Sequence, residues 1–229
     1  MKTIFLLLLF PVFAQARQLS DLRSDARIYS RDGAETGRPR FTNADINALI
    51  NEAQRDVIGY TKCVFSATQF QLVAGTTYYS LPSDSISIKR VTRDNFKLLE
   101  RSPENLDKLN EWEEVSGLPT EYFINFSSRT KIGMYPFPGS TTDTGTVKVE
   151  LYSQATDLSA DADQPFENIS EFYPFHQMLA YYAAYRMVEV DGNLGLADRY
   201  QARYLRDRET FKDYCVDRPS YRPSASPGK

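Results

Sequence analysis

Chemistry in this chain would have to start from very few groups. There is one histidine, His176, and there are two cysteines, Cys63 and Cys215. A Ser–His–Asp or Cys–His relay needs an imidazole to carry the proton, so any such site would have to use His176. It sits in an apolar helical stretch, where a satisfied structural imidazole is the expected state. A zinc site takes about four ligands, a set that one histidine and two distant cysteines do not supply. The cysteines have no local partner spacing. A disulfide needs an oxidising compartment, and the expectation is two free, mostly buried thiols.

Carboxylates are the remaining route. Glu111, Glu113 and Glu114 surround Trp112. A glycosidase needs two carboxylates facing each other across a cleft, and neighbours on one helix read instead as a solvated face. Asp157, Asp161, Asp163 and Glu167 could surround calcium, but the spacing departs from an EF-hand loop and lacks its central glycine. Neither glycine-rich phosphate-binding pattern occurs. The expectation is a protein that is not an enzyme, with no catalytic residue, no cofactor and no metal.

Charge points the same way. The net charge is −3, so the surface as a whole offers no broad attraction for nucleic acid. Arg199, Arg203, Arg206 and Arg208 are interleaved with Asp198, Asp207 and Glu209, a pattern that favours ion pairs along a helix or between subunits. Lys89-Arg90 and Arg38-Pro39-Arg40 are short basic runs. The 15 Tyr and 14 Phe suit either interface surfaces or a Tyr-rich β core.

The elements that must carry these residues follow from periodicity. Leu19, Leu22, Ala26 and Tyr29 predict a short helix over 18–30. Thr42 and Asp45 form an approximate capping box for a second helix, with Phe41 and Ile46 at the two ends of a hydrophobic staple. Its stripe is Ile46, Leu49, Ile50, Ala53 and Val57. The period then changes. Phe65–Val73, Thr77–Leu81, Ile86–Thr92, Tyr122–Phe126, Thr130–Met134 and Val147–Tyr152 read as strands. Ser102-Pro103 opens a helix that carries Leu106, Leu109 and Trp112 and stops at Gly117. After Pro165 the helical period returns, with Phe172, Phe175, Leu179, Ala183, Met187 and Val190 on one face. Tyr181, Tyr185 and Val188 lie elsewhere on the same helix, so it is buried on more than one side. A last helix, about 195–214, buries Ala197, Tyr200, Tyr204 and Phe211 and exposes Arg199, Arg203 and Arg206.

The predicted fold class is α+β: a helical bundle domain formed by N- and C-terminal helices, with an inserted antiparallel β-rich domain. The segments are 1–16, an apolar arm or signal-like segment; 17–62, the first part of the helical domain; 63–165, the β-rich insertion; 166–215, its second helical part; and 216–229, a flexible Pro/Ser tail. Lys2, the apolar run from Ile4 to Phe10 and Ala14-Gln15-Ala16 make a signal-like pattern. If residues 1–16 are kept, the arm Ile4, Phe5, Leu6, Leu7, Leu8, Leu9 and Phe10 needs a greasy groove on a partner.

Five pieces in order carry a resemblance. They are Phe41-Thr42-Asn43-Ala44-Asp45-Ile46 leading into Leu49-Ile50-Asn51-Glu52-Ala53-Gln54; Tyr78-Tyr79-Ser80-Leu81-Pro82-Ser83-Asp84; Gly117-Leu118-Pro119-Thr120-Glu121-Tyr122-Phe123; Ile132-Gly133-Met134-Tyr135-Pro136-Phe137-Pro138; and Val147–Tyr152 followed by Asp157-Leu158 and a Tyr/Ala-rich helix. Over about residues 19–213 the chain resembles the head-to-tail adaptor (connector) family of tailed bacteriophages, especially the short-tailed type.

The resemblance implies a structural virion protein at the head–tail junction, assembled in the host cytoplasm. It implies a ring, usually of twelve copies, beneath the portal protein. Tail nozzle or tube proteins would attach below, and genomic DNA would pass through without sequence-specific binding. Heterologous ring contacts agree with helices buried on two sides, and a net acidic chain suits sliding DNA. The expected subunit or portal surface is Phe172, Tyr181, Tyr185, Val188, Arg199, Arg203 and Arg206. No membrane is involved if the N-terminus is retained. The alternative is an exported β-rich binding module, for example for carbohydrate, released into the periplasm or medium by cleavage after Ala16.

Overall fold

A computed structural model of the chain describes residues 16–33, 39–125, 128 and 130–216. The expected arm, Ile4 to Phe10, and the Pro/Ser tail from Arg218 lie outside the described residues. The elements are α1 (Leu19–Ser30), α2 (Asn43–Thr61), β1 (Phe65–Gln71), β2 (Tyr78–Ser80), β3 (Ser85–Arg93), β4 (Phe96–Lys97), β5 (Leu99–Glu100), α3 (Pro103–Leu106), β6 (Glu121–Ile124), β7 (Lys131–Tyr135), β8 (Thr146–Ser153), α4 (Gln177–Val190) and α5 (Leu194–Val216). The fold is mixed α+β, with antiparallel pairing dominant in the sheets. The chain divides into two compact units, one running to Gln54 and resuming over Thr156–Arg208, the other Arg55–Ala155 with the chain from Glu209.

In the helical unit α1 packs on α4. The Thr42–Asp45 box forms: the Thr42 N–H donates to Asp45 Oδ2 (2.8 Å) and the Asp45 N–H to Thr42 Oγ1 (3.2 Å). The Thr42 hydroxyl and N–H hold the Asp45 carboxyl below its usual range. Ile46, Ile50 and Ala53 of α2 are fully buried, as are Leu19, Leu22 and Ala26 of α1. Each such Leu or Ile contributes roughly 1.5–3 kcal/mol relative to an exposed position. Helix α4 buries Met178, Leu179, Ala180, Tyr182, Ala183, Ala184, Met187 and Val188, so it is enclosed on more than one side. Val190 departs from its expected buried face and is 60% exposed, because it is the last residue of the helix.

The β-rich unit holds two four-stranded sheets, ordered β1-β8-β3-β4 and β2-β7-β6-β5. The turn between β3 and β4 uses Asp94 and Asn95, both at positive φ, the conformation that a tight hairpin turn requires. The chain then leaves the first sheet at β4 and enters the second at β5, through buried Leu98. Both sheets contribute to one core: Leu72, Val91, Val147, Val149 and Leu151 lie with Tyr79, Leu81, Tyr122, Ile132 and Met134. In the second sheet the Phe123 ring lies over Gly133, where an added Cβ would come within 2.2 Å of its Cζ. Trp112 meets the same ring edge-on, with centroids 5.3 Å apart.

Three expectations are corrected. The helix from Pro103 to Gly117 stops at Leu106, and Trp112–Glu114 is a separate 3-10 turn. Leu106 is its only buried apolar residue, Glu111 takes a left-handed φ of 56°, and the Trp112 indole N–H donates to Asp107 (3.1 Å). Regular helix after Pro165 begins only at Gln177, after 3-10 turns at Phe166–Asn168 and Ser170–Phe175. Positive φ at Phe166, Glu167 and Asn168 breaks the run, and Pro174 lacks an N–H. Third, the thiols are not free: Cys63 and Cys215 form a disulfide, with Cα atoms 5.7 Å apart. Helix α5 extends to Val216, which carries Cys215 in its last turn to Cys63, two residues beyond the end of α2.

Candidate functional site

The strongest surface constellation in the helical unit is built from one tyrosine on each of three helices. Tyr29 of α1, Tyr181 of α4 and Tyr200 of α5 lie together, with ring centroids 5.3 Å (29–181), 5.6 Å (29–200) and 6.2 Å (181–200) apart. All three are half-buried. The Arg203 guanidinium covers two of them, 5.7 Å from the Tyr181 centroid and 6.0 Å from that of Tyr200. Gln177 Nε2 donates to the Tyr29 hydroxyl (2.9 Å), and burial pushes that phenol up to about 12. Arg199, Arg203 and Arg206 are exposed, and Arg206 pairs with Asp207 (3.1 Å). Tyrosine and arginine presented together on an ordered surface is the composition of a protein-binding hot spot.

The remaining expected surface residues fall elsewhere. Tyr185 meets Tyr182 edge-on (5.2 Å), and Tyr182 donates to Glu52 (2.6 Å). Phe172 and Val188 are 1% and 2% exposed, so in a single copy both belong to the core. Tyr29 and Tyr200, whose spacing predicts buried stripe positions, join the cluster as half-exposed members. Nothing in the spacing of one helix indicates a stack shared by three.

The acidic loop is occupied by its own fold. The Asp163 carboxylate accepts the Ser159 and Ala160 N–H groups (both 2.7 Å), which hold it below its usual range. Asp161 pairs with Arg23. Backbone carbonyls of Asp163 and Asp161 accept from Leu19 (2.8 Å) and Ser20 (3.2 Å), the first N–H groups of α1, which otherwise lack partners within the helix. Glu167 accepts from the Thr156 N–H (2.6 Å). Two amides of α2 secure the loop from inside. Asn51 both donates to and accepts from the Leu158 backbone (3.0 and 2.8 Å). Gln54 donates to Thr156 O and accepts from the Phe166 N–H (both 2.9 Å). Among the described residues no group of three or more His, Cys, Asp or Glu is placed to hold a metal ion.

His176 is fully buried. Its Nδ1 lies 3.3 Å from the Arg17 N and 3.2 Å from the Arg17 O. Burial pushes the ring down to about 4, against a smaller opposing effect of the Arg17 contact. Phe166 and Tyr173 pack edge-on against it, at 5.7 and 5.3 Å, so the imidazole is a neutral fastener for the chain entering α1. Glu111, Glu113 and Glu114 rim an open depression with Asp107 and Trp112. They are contiguous on one turn and present no opposed pair.

No helix among the described residues is long and apolar enough to cross a membrane. No curated protein matches the chain. The family model described as SU10 adaptor protein matches residues 17–225, from the Arg17 anchor at His176 to beyond the end of α5. The chain therefore belongs to the SU10 adaptor protein family and is a structural adaptor of a bacteriophage.

Proposed function

We propose that this adaptor assembles as a ring, of about twelve copies, beneath the portal of the phage head, and joins it to tail nozzle or tube proteins while genomic DNA passes through. The observation that carries the reading is the Tyr29–Tyr181–Tyr200 face capped by Arg203. An ordered aromatic and arginine surface loses little side-chain entropy on docking and is suited to a repeated heterologous contact. Tyr181, Arg199, Arg203 and Arg206 meet a neighbouring copy or the portal in this reading, and the β-rich unit is offered to the next component. The role is mechanical rather than catalytic, and the protein is a virion component. A retained arm, Ile4 to Phe10, inserts into the portal or a neighbour.

The Cys63–Cys215 disulfide favours an oxidising setting, as the exported alternative also would. A released virion meets that condition without secretion of the chain. Native mass spectrometry of the full chain, alone and with portal rings, tests the proposal. The expected result is a ring with the N-terminal peptide intact, and a folded monomer for Tyr181→Ala/Arg203→Glu. A wild-type chain that stays monomeric with portal present, and that begins at Arg17, would sink it.

A further inference from the structure

The register of the first sheet gathers cations that are scattered in the sequence. Gln69 pairs with Lys148, Lys148 with Thr92, and Thr92 with Lys97. These four therefore share one face across all four strands. On the same face Ala67 pairs with Glu150 and Glu150 with Arg90, and Phe65 pairs with Tyr152 and Tyr152 with Ser87. A register shift between Ile88 and Arg90 leaves Lys89 unpaired on β3. Its Nζ reaches 4.1 Å from the Phe65 ring centroid, and Lys62 Nζ lies 5.8 Å from that of Tyr152. The opposite face of β8, Val147, Val149 and Leu151, is in the core.

The outward face thus carries Lys62, Lys89, Arg90, Lys97 and Lys148, all exposed, and among the described residues that the register pairs on it the one carboxylate is Glu150, which lies 3.6 Å from Lys148. In a chain of net charge −3, the excess acid lies elsewhere. We infer that this panel is a contact surface for the phosphate backbone of double-stranded DNA, read without regard to sequence. Four of its five cations are lysines. Protein interfaces are depleted in lysine at their cores and enriched in exposed aromatics. Here the two rings are half-buried beneath ammonium groups, and the other positions are Gln, Thr, Ser and Ala. Flexible ammonium groups flanked by hydroxyls and amides contact phosphate and carry no base readout. A few such contacts per copy give a hold that is weak and labile to salt, as a moving duplex needs. The identity of the polyanion rests on the proposed function; the charge does not.

The test uses the full chain with two labelled duplexes of unrelated sequence, followed by fluorescence anisotropy in rising salt. With about four phosphate contacts, affinity should fall roughly a hundredfold between 50 and 200 mM salt, equally for both duplexes. The variant K89Q/R90Q/K97Q/K148Q, with an unchanged melting curve, should bind at least about tenfold more weakly at 50 mM and show a flatter salt slope. Binding that is alike in variant and wild type overturns the inference. So does a wild-type chain that ignores DNA but holds polyglutamate through the panel, which would assign the face to an acidic protein. Assembly is read separately. Absence of wild-type rings counts against the proposed function and leaves panel-dependent DNA binding intact, while rings with panel-independent binding do the reverse.

Discussion

Replacing both Cys63 and Cys215 by alanine should lower the stability of the β-rich unit. The bridge joins residues 152 apart in sequence. Opening it returns the closure entropy of that loop to the unfolded chain, about 5 kcal/mol on the chain-entropy scale. That figure is a ceiling, because residual order in the unfolded chain subtracts from it. For a protein of this size about 5 kcal/mol corresponds to a fall in Tm on the order of 10 °C. Cys63 is only 3% exposed, so an alanine there also leaves a small void. The assay compares thermal denaturation of the oxidised protein, the reduced protein and the double variant, with alkylation of the native chain alongside. The reduced protein and the variant should both melt well below the oxidised form, the variant slightly lower because of the void. The reasoning is refuted if the native chain takes up two alkyl groups without reductant, or if the variant melts within a degree of the oxidised protein.

Three further outcomes are expected. His176 is neutral in the fold with a value near 4, against 6.5 as its ordinary value. The unfolded chain therefore binds the extra proton between these two values, and stability falls as pH drops from 6.5 to 4, by about 3 kcal/mol in all. Melting curves across that window should flatten in His176→Gln, and an equally steep variant would refute this. Gln54→Leu leaves the Thr156 carbonyl and the Phe166 N–H without their partner, at about 1–3 kcal/mol; a denaturant midpoint unchanged from wild type would count against the role given to that amide. Gly133→Ala drives a Cβ into the Phe123 ring and should cost about 1–3 kcal/mol. The displaced ring should shift Trp112 emission, and Phe123→Leu in the same chain should restore part of the loss.

Local signals carried much of the fold. The Thr42–Asp45 box, the alternation of β8 and the apolar girth of α4 each depend on residues a few positions apart, and each produced its element. What was not legible depends on distance or on single backbone angles. The disulfide requires α5 to run on to Val216. The separate 3-10 turn at Trp112 opens on a left-handed Glu111. The half-buried tyrosine face draws one ring from each of three helices, so no single periodicity contains it. The basic panel is the clearest case. Lys89-Arg90 is a short run by itself, and Lys62, Lys97 and Lys148 are isolated, until the register of β1, β8, β3 and β4 aligns them.

The position of β8 in the chain has a consequence for synthesis. It is the strand between β1 and β3, yet it is the last of the sheet to emerge from a ribosome. Until Thr146–Ser153 has been made, β1 and β3 have no shared partner, and the core that both sheets build lacks Val147, Val149 and Leu151. The helical unit waits longer still, because α1 packs on α4. Nascent chains of this protein therefore present the open edges of β1 and β3 from their own synthesis until β8 has been made, and pairing across such separations is slow. A pause just before Thr146 should favour aggregation more than a pause of equal length after Val190, when both β8 and α4 have been made.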